Sequence, residues 1–397
     1  SNMKVALFPS FLLGRACAFT PAVLQHQTSL THDITRFVHQ RTSSSSTNLQ
    51  RFSSAIAPCT FPSTTTTARS LRTFSSIHST MTGDIESDKE VMQDMLYRVR
   101  ECNRIPLHIK ETIMDFAVDG VRVGKVTKKV ADLLCQSSPS SPVFDIDSSG
   151  DRPVLVLTEY AGSTVDARTE SVMSVMTHLK DEGIITGWRD ELYPLATGFY
   201  NEPLFFVERA AAPFLGMLQY GVHINGLVKT QDGEEEMWIA RRSATKSQYP
   251  GMTDQIVAGG QPAGLGLMEN VLKECQEEAG IPDELTLKGI KPAGAVSYEV
   301  ARSTGAGFDV LSRAVLFVYD LELPSDFQPK VVDGEVEEFF RWGVDEQLAA
   351  MARDFQDPMK PNCYLCVIDY LLRKGQISPE VPGYLELLRE LRSGDCV

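Results

Sequence analysis

A glycine-rich loop that leads into an acidic helix constrains this chain more than any other stretch, and it runs from Gly259 to Ile281. The pattern predicts about fourteen residues of helix ending at Gly280, because glycine commonly adopts the left-handed conformation that closes a helix. Three carboxylates share one face of that helix: Glu274, Glu277 and Glu278. Like charges at this spacing repel by a few tenths of a kcal/mol per pair. A divalent cation with hard oxygen ligands, Mg²⁺ or Mn²⁺, removes that repulsion and is the predicted cofactor. The alternative is an acidic helix face that contacts only solvent.

The stretch resembles the Nudix box, a motif with a glycine, a glutamate and then Arg-Glu-apolar-x-Glu-Glu-x-Gly-apolar. Residues 273–281 read KECQEEAGI and match its second half. The first glutamate of the box falls on Leu265, which cannot bind metal, and its arginine is Lys273, which lacks the planar guanidinium. The resemblance implies an α/β/α sandwich in which Gly259 and Gly260 line the substrate site. It also implies that Glu277 and Glu278 hold metal, with Glu274 as a third ligand or as the base that deprotonates water.

Two cations precede the loop, Arg242 and Lys246. They suit a diphosphate, since arginine binds phosphate oxygens bidentately and lysine acts as a point charge. Their spacing resembles that of the Arg and Lys that grip diphosphate in isopentenyl-diphosphate isomerase, a Nudix relative. The catalytic cysteine and metal-binding histidine of that enzyme fall at Ala258 and Gly260, so hydrolysis is favoured over isomerisation. A basic surface patch is the alternative.

An acidic run at residues 333–338 begins a strand on which Nudix enzymes often place a remote acid. We predict that Glu335 is catalytic, either as a fourth metal ligand or as the base that positions water. Glu337 points to the same face and is the second choice. The alternative is a solvated acidic loop.

The chain has 397 residues, enough for two domains with separate cores. Residues 1–83 hold seven Lys/Arg, one acid and many Ser and Thr, and we predict a disordered targeting leader. Residues 84–216 predict a smaller α+β domain, and residues 217–397 the Nudix domain of an α/β protein. The smaller domain shows no phosphate loop, metal cluster or nucleophile constellation. Its Trp188–Glu191 run either faces a ligand or, as favoured, is a packed tryptophan beside surface charges.

The leader indicates where the protein is delivered. An apolar run before Phe19 resembles the signal peptide of a bipartite plastid leader, whereas residues 72–75 resemble a mitochondrial processing site. Met81 is an alternative internal start that gives a cytosolic form. Plastid is the prediction and mitochondrion the alternative. The remaining residues carry 31 basic against 51 acidic side chains, which argues against nucleic acid and anionic membrane as partners. The expected partner is a small organic diphosphate, with homodimerisation left open.

A wider pattern resembles the two-domain Nudix hydrolases labelled "thiamine pyrophosphokinase-related", which include plastid plant members. Its segments are ERAA at 208–211, YGVHING at 220–226, RRSATK at 241–246 and KPNC at 360–363. The resemblance implies hydrolysis of thiamine diphosphate, preferably of its oxidised analogues, to the monophosphate. One alternative is a general nucleoside-diphosphate-X pyrophosphatase acting on NADH, CoA or ADP-ribose. Another is a degenerate Nudix module that binds a diphosphate without turnover.

Overall fold

The computed structural model describes residues 85–138, 142–246, 248–332 and 334–394. The predicted leader, residues 1–83, lies outside the described residues. The helices are Ile85–Cys102 (α1), Leu107–Lys110 (α2), Lys128–Gln136 (α3), Val165–Asp181 (α4), Ala212–Leu215 (α5), Leu267–Ala279 (α6), Asp283–Gly289 (α7), Val344–Ala349 (α8), Pro361–Arg373 (α9) and Tyr384–Glu390 (α10). The strands are Ile113–Val118 (β1), Val121–Thr127 (β2), Phe144–Asp147 (β3), Val154–Leu157 (β4), Leu192–Leu195 (β5), Phe205–Glu208 (β6), Leu218–Lys229 (β7), Glu235–Arg242 (β8), Thr253–Gln255 (β9), Val257–Gly260 (β10), Ile290–Ser303 (β11), Asp309–Leu323 (β12) and Val336–Trp342 (β13).

The first domain is built on a small sheet in the order β2-β1-β4-β3. The sequence of residues 114–126, with Asp119-Gly120 between two apolar runs, predicts a hairpin, and the structure confirms it. Asp119 and Gly120 form the β1–β2 turn with φ of 52° and 78°, the positive values that a two-residue turn of this kind requires. Helices α3 and α4 pack on the sheet through a core that includes Phe116 and Val175. The α+β character expected for this domain follows from that arrangement.

One predicted element of the first domain is wrong. The sequence suggested a helix over residues 205–215, but Phe205–Glu208 is strand β6, which pairs antiparallel with β5. Phe205 and Val207 alternate onto the buried side, and this period of two reflects a strand rather than a helix. Only Ala212–Leu215 is helical.

The second domain is an α/β/α sandwich around a sheet in the order β11-β12-β7-β8-β13. Strands β12 and β7 run parallel, and β10 and β9 add to the ends of β7 and β8. Helix α6 covers one face through Val271 and Cys275, which pack with Val222 of β7. Helix α9 covers the other face, where Leu227 and Leu365 share a second core. The predicted fold class is confirmed.

Helix α1 precedes the first domain in sequence but packs on the second. Met92, Met95 and Val99 lie in the same core as Leu365 of α9 and Leu387 of α10. The predicted range 84–216 therefore includes a helix whose apolar face is buried in the neighbouring core. The described helices contain none that combines the length and apolarity of a membrane span.

Candidate active site

Helix α6 begins and ends at glycines whose local contacts and conformation suit helix termini. Gly266 is the N-cap, and its backbone N–H donates to the Glu269 carboxylate at 2.9 Å, which satisfies one of the otherwise unpaired amides of the first turn. Gly280 closes the helix in the left-handed conformation with φ 63°. The predicted helix is thus confirmed. Its buried stripe holds it on the sheet, so its other residues have a fixed relation to strand β10.

Three side chains of α6, one per turn, meet successive residues of β10. Asn270 Nδ2 donates to Gly260 O at 2.8 Å. Glu278 Oε2 accepts from Ala258 N at 2.9 Å. Between them the side chain of Glu274 lies against Gly259, where an added Cβ would come within 2.3 Å of Glu274 Cδ. Gly259 therefore leaves the space that the Glu274 carboxylate occupies.

We call the contact of Asn270, Glu274 and Glu278 of α6 with residues 258–260 of β10 the α6–β10 seam. Glu277 lies outside it. It is exposed, and its Oε2 accepts from Lys273 Nζ at 2.7 Å. The same ammonium lies 3.2 Å from Glu274 Oε1, so the lysine that replaces the arginine of the motif contacts two of the three acids. Glu274 and Glu278 thus contact β10, whereas Glu277 is linked to Glu274 through their shared contact with Lys273.

The electrostatics of these acids favour a cation. Burial raises the pKa of Glu278 to about 8; the Ala258 N–H opposes that rise, and the carboxylates of Glu274, Asp254 and Glu335 add to it. Burial also raises the pKa of Glu274, against the opposing effect of Lys273. Carboxylates held close in a partly dry site are destabilised as anions, and a nearby positive ion reverses this.

The donor set fits a divalent metal, because the groups present are carboxylate oxygens and such hard ligands favour ions of the Mg²⁺ type. Within the described ranges no three acidic, histidine or cysteine side chains already converge as a cage. Glu274 and Glu278 would hold the ion from the seam. Glu277 would join them by exchanging its contact with Lys273 for the metal.

Glu335, the predicted remote acid, lies just before β13 and is bound by cations. Lys246 Nζ forms an ion pair with its Oε2, and Arg189 Nη1 lies 3.8 Å from its Oε1. Burial alone would raise the pKa of Glu335, but the hydrogen bond and charge of Lys246, with the charges of Arg189 and Arg242, hold it below its usual range. Glu335 is thus ionised at neutral pH. Glu337, the second choice, is exposed at an irregular position of β13.

Arg242 is engaged with the protein. Its guanidinium forms an ion pair with Asp254 Oδ2 at 2.7 Å and donates to the backbone oxygens of Tyr249 and Gln248. The side chain retains 14% exposure. Its predicted role in binding diphosphate stays a prediction, while the structure gives it a second task, fixing the loop that follows β8.

Asp254 is a buried acid that sequence reasoning missed. It is 4% exposed and contacts Lys360 Nζ at 3.3 Å and Cys363 Sγ at 2.7 Å, besides Arg242. Burial would raise its pKa, but Lys360 and Arg242 hold it well below the usual range. The KPNC segment at 360–363 was the available signal, since it supplies two of these partners. Cys363 and Cys366 are buried free thiols, as predicted for the CxxC pair.

His223 lies on the same face of the sheet as Asp254 and is 3% exposed, with its Nδ1 on Gln255 Oε1. Burial lowers the pKa of His223 to about 4. His223, which lies in the middle of a predicted strand and was expected to be a core histidine, is therefore neutral at physiological pH. Its hydrogen-bond network continues through Gln255 Nε2 to Asn225 Oδ1 at 2.7 Å.

Acidification is expected to destabilise the fold through His223. In the unfolded chain its pKa is near 6.5, so at about pH 5 the unfolded state binds a proton that the folded state excludes. Stability is complete above about pH 6.5 and falls as the pH drops towards about 4. Between about pH 7.5 and about pH 5 the loss amounts to roughly 2 kcal/mol. Urea unfolding of the wild type and His223→Gln at both pH values measures it. Equal pH dependence in the two proteins would contradict a neutral His223.

The first domain contacts the loop between β10 and α6, which borders the candidate site. Ala263 N donates to Leu192 O at 3.0 Å. An added Cβ on Gly260 would lie 1.8 Å from Tyr193 Oη and 3.3 Å from Arg209 Cζ, so this glycine is required for the close approach of the two domains. No site residue was predicted in this domain. The signals were the Trp188–Glu191 run, for which the packed alternative was favoured, and the ERAA segment that contains Arg209.

Comparison with known proteins gives one family model and several relatives. Residues 94–219 match a model described as "Domain of unknown function (DUF4743)". The chain is 38% identical over 396 residues to "Nudix hydrolase 20, chloroplastic" of Arabidopsis thaliana, covering 96% of this chain and 100% of that protein. It is 41% identical over 311 residues to "Nudix hydrolase 24, chloroplastic" of the same plant, covering 76% and 78%. A solved MutT/nudix family protein from Enterococcus faecalis is 12% identical, with 43% of this chain and 67% of that chain covered and a TM-score of 0.30.

Both plant relatives are designated chloroplastic. The plastid prediction is therefore confirmed over the mitochondrial alternative.

Proposed function

We propose, from the premise that this chain belongs to the Nudix hydrolase family, that it cleaves thiamine diphosphate and preferably its oxidised analogues to the monophosphate. Family membership confirms the prediction of a pyrophosphohydrolase. The observation that carries the proposal is the α6–β10 seam, where Glu274 lies against Gly259 and Glu278 accepts from Ala258 N. The charge of Glu335, which pairs with Lys246, acts on Glu278. The substrate is supported by the motif pattern that extends from residue 208 to residue 363.

The reaction replaces the bridging P–O bond of the diphosphate by a bond from a water oxygen to phosphorus. A metal held by Glu274, Glu277 and Glu278, Mg²⁺ or Mn²⁺, would supply Lewis acidity and neutralise phosphate charge. The alternative role of Glu274 is that of the base which accepts the proton of the attacking water, and burial raises the pKa of this carboxyl in the direction that role requires. Lys246 would leave Glu335 for a phosphate oxygen, so that Glu335 is available to orient the water.

Arg242 contributes by keeping the loop after β8 in place, from which Lys246 extends. Two N–H groups of its guanidinium are not used in the bonds to Asp254, Tyr249 and Gln248, and they would add charge towards the phosphates. Positioning and charge stabilisation of this kind carry most of the rate in phosphoryl transfer.

Hydrolysis of a panel of diphosphates, with and without Mg²⁺, tests the proposal; inorganic phosphate is measured for the thiamine compounds, and the organic monophosphate products are measured by chromatography for every compound. The panel contains thiamine diphosphate, its oxidised analogues, NADH, CoA and ADP-ribose. We expect Mg²⁺-dependent turnover with the highest kcat/KM for the oxidised thiamine analogues. Activity confined to the nucleotides would replace this function by that of a general nucleoside-diphosphate-X pyrophosphatase.

A further inference from the structure

The turn at residues 188–191 of the first domain is held rigidly. The Glu208 carboxylate is 1% exposed and accepts from the backbone N–H of Arg189 at 2.9 Å and of Glu191 at 3.1 Å. Asp190 has φ 58°, which is uncommon for a residue other than glycine, and its Oδ1 accepts from Trp188 Nε1 at 2.9 Å. A buried carboxylate is tolerated only when it is hydrogen-bonded, so the turn is a built feature of this domain. It projects Arg189 and Glu191 in fixed directions.

Arg209 is positioned by the same turn. Its Nη1 forms an ion pair with Glu191 Oε2 at 2.9 Å, and its guanidinium carbon lies 5.6 Å from the ring centre of Tyr193. The Tyr193 ring is buried and its hydroxyl abuts Gly260. Arg209 is thus held over the loop before α6 with 39% of its side chain exposed. Although burial opposes it, the negative charge of Glu274 helps to raise the pKa of Arg209.

Arg189 contacts a different acid of the candidate site. Its Nη1 lies 3.8 Å from Oε1 of Glu335, which also forms an ion pair with Lys246. Its side chain is 40% exposed. The guanidinium group of Arg189, which belongs to the turn, and that of Arg209, which the turn holds through Glu191, therefore border the carboxylates Glu335 and Glu274. Among the described residues each arginine forms one ion pair, and five N–H groups per guanidinium leave donors on both for a further ligand.

We propose that the turn at residues 188–191 and Arg209 form the phosphate-binding half of the active site, which binds the terminal phosphate that is released as inorganic phosphate. This inference rests on the proposed function and deepens it. A planar guanidinium group can donate two parallel hydrogen bonds to the oxygens of one phosphate. The α6–β10 seam supplies carboxylates for a metal, and Arg189 and Arg209 supply the guanidinium donors. The first domain is then a substrate-binding part of the enzyme. Glu208 is a positioning residue that acts through the backbone of Arg189 and Glu191.

Binding of inorganic pyrophosphate in metal-free buffer, measured by calorimetry, tests the proposal without requiring turnover. We expect each of Arg209→Ala and Arg189→Ala to weaken binding about tenfold, and the double variant about 100-fold, since hydrogen bonds to charged groups carry effects of this size. Arg209→Lys should recover part of the loss. Arg152→Ala, an exposed arginine of the same domain, is the matched control and should bind like the wild type.

The kinetic readout separates substrate binding from a structural role. With the substrate that the panel identifies, Arg189→Ala should raise KM more than it lowers kcat, and its thermal unfolding should match the wild type because its one ion pair is long and half-exposed. Wild-type pyrophosphate binding that Arg189→Ala and a folded Arg209→Lys both retain in full would overturn the inference, as would a wild type that does not bind pyrophosphate. Loss of binding in these variants, with no diphosphate hydrolysed by the wild type, would refute the proposed function and retain only the diphosphate-binding role of the two arginines.

Discussion

Replacing Glu278 by glutamine is expected to lower turnover about 10³-fold, which corresponds to about 4 kcal/mol of transition-state stabilisation. The carboxylate faces the seam rather than solvent, and its oxygen on Ala258 N fixes where the other oxygen can meet a metal. Glutamine keeps the shape and an acceptor for that N–H, but it loses the negative charge that a divalent ion needs. The loss should therefore appear in kcat at saturating Mg²⁺.

The fold should tolerate this change. Burial and neighbouring acids disfavour the ionised form of Glu278, so a neutral amide at this position costs little stability. Glu284→Gln, which changes an exposed carboxylate at the start of α7, is the matched control and should keep full turnover. Steady-state kinetics and thermal unfolding of both variants make the measurement. Wild-type kcat in a folded Glu278→Gln protein would remove this residue from the metal site.

Replacing Gly259 by alanine is expected to lower turnover about 10²-fold, because misplacing a catalytic group by about 1 Å has an effect of this size. The new methyl group would lie 2.3 Å from Glu274 Cδ and 2.8 Å from its Oε1, closer than van der Waals contact allows. The backbone of Gly259 is not left-handed, so alanine introduces no dihedral strain. What must move is the Glu274 carboxylate.

The control for this substitution is Gly305→Ala, in the loop between β11 and β12. Gly305 also lacks a positive φ, and nothing lies within 4 Å of a Cβ built on it. Its turnover should equal that of the wild type. If Gly259→Ala is as active as Gly305→Ala, the Glu274 carboxylate has no required position beside β10.

Features fixed by neighbouring residues were predictable from the sequence. Helix α6 and its closing Gly280, and the turn at Asp119-Gly120, each depend on contacts within a few positions, so composition and spacing indicated them correctly. The Glu274 and Glu278 pair was predictable for the same reason, since residues four apart lie on one helix face. Their separation from Glu277 was not, because it depends on which side of α6 meets β10.

Features that depend on contacts between residues far apart in the sequence were not predicted. Strand β6 exists because β5 pairs with it, and residues 205–208 alone are too short to distinguish the two periods. Asp254 is buried because Arg242, Lys360 and Cys363 converge on it from up to 109 positions away. Helix α1 packs on α9 across more than 250 residues of chain. Spacing in the sequence contains no information on such encounters.

Hydrolysis by this chain requires a divalent metal at the α6–β10 seam, and Mn²⁺ binding followed by electron paramagnetic resonance measures whether the seam holds one. We expect the wild type to bind Mn²⁺ and Mg²⁺ to compete with it. The Glu274→Gln/Glu278→Gln double variant, folded by circular dichroism, should lose that binding. Mn²⁺ bound equally well by both proteins would contradict the account.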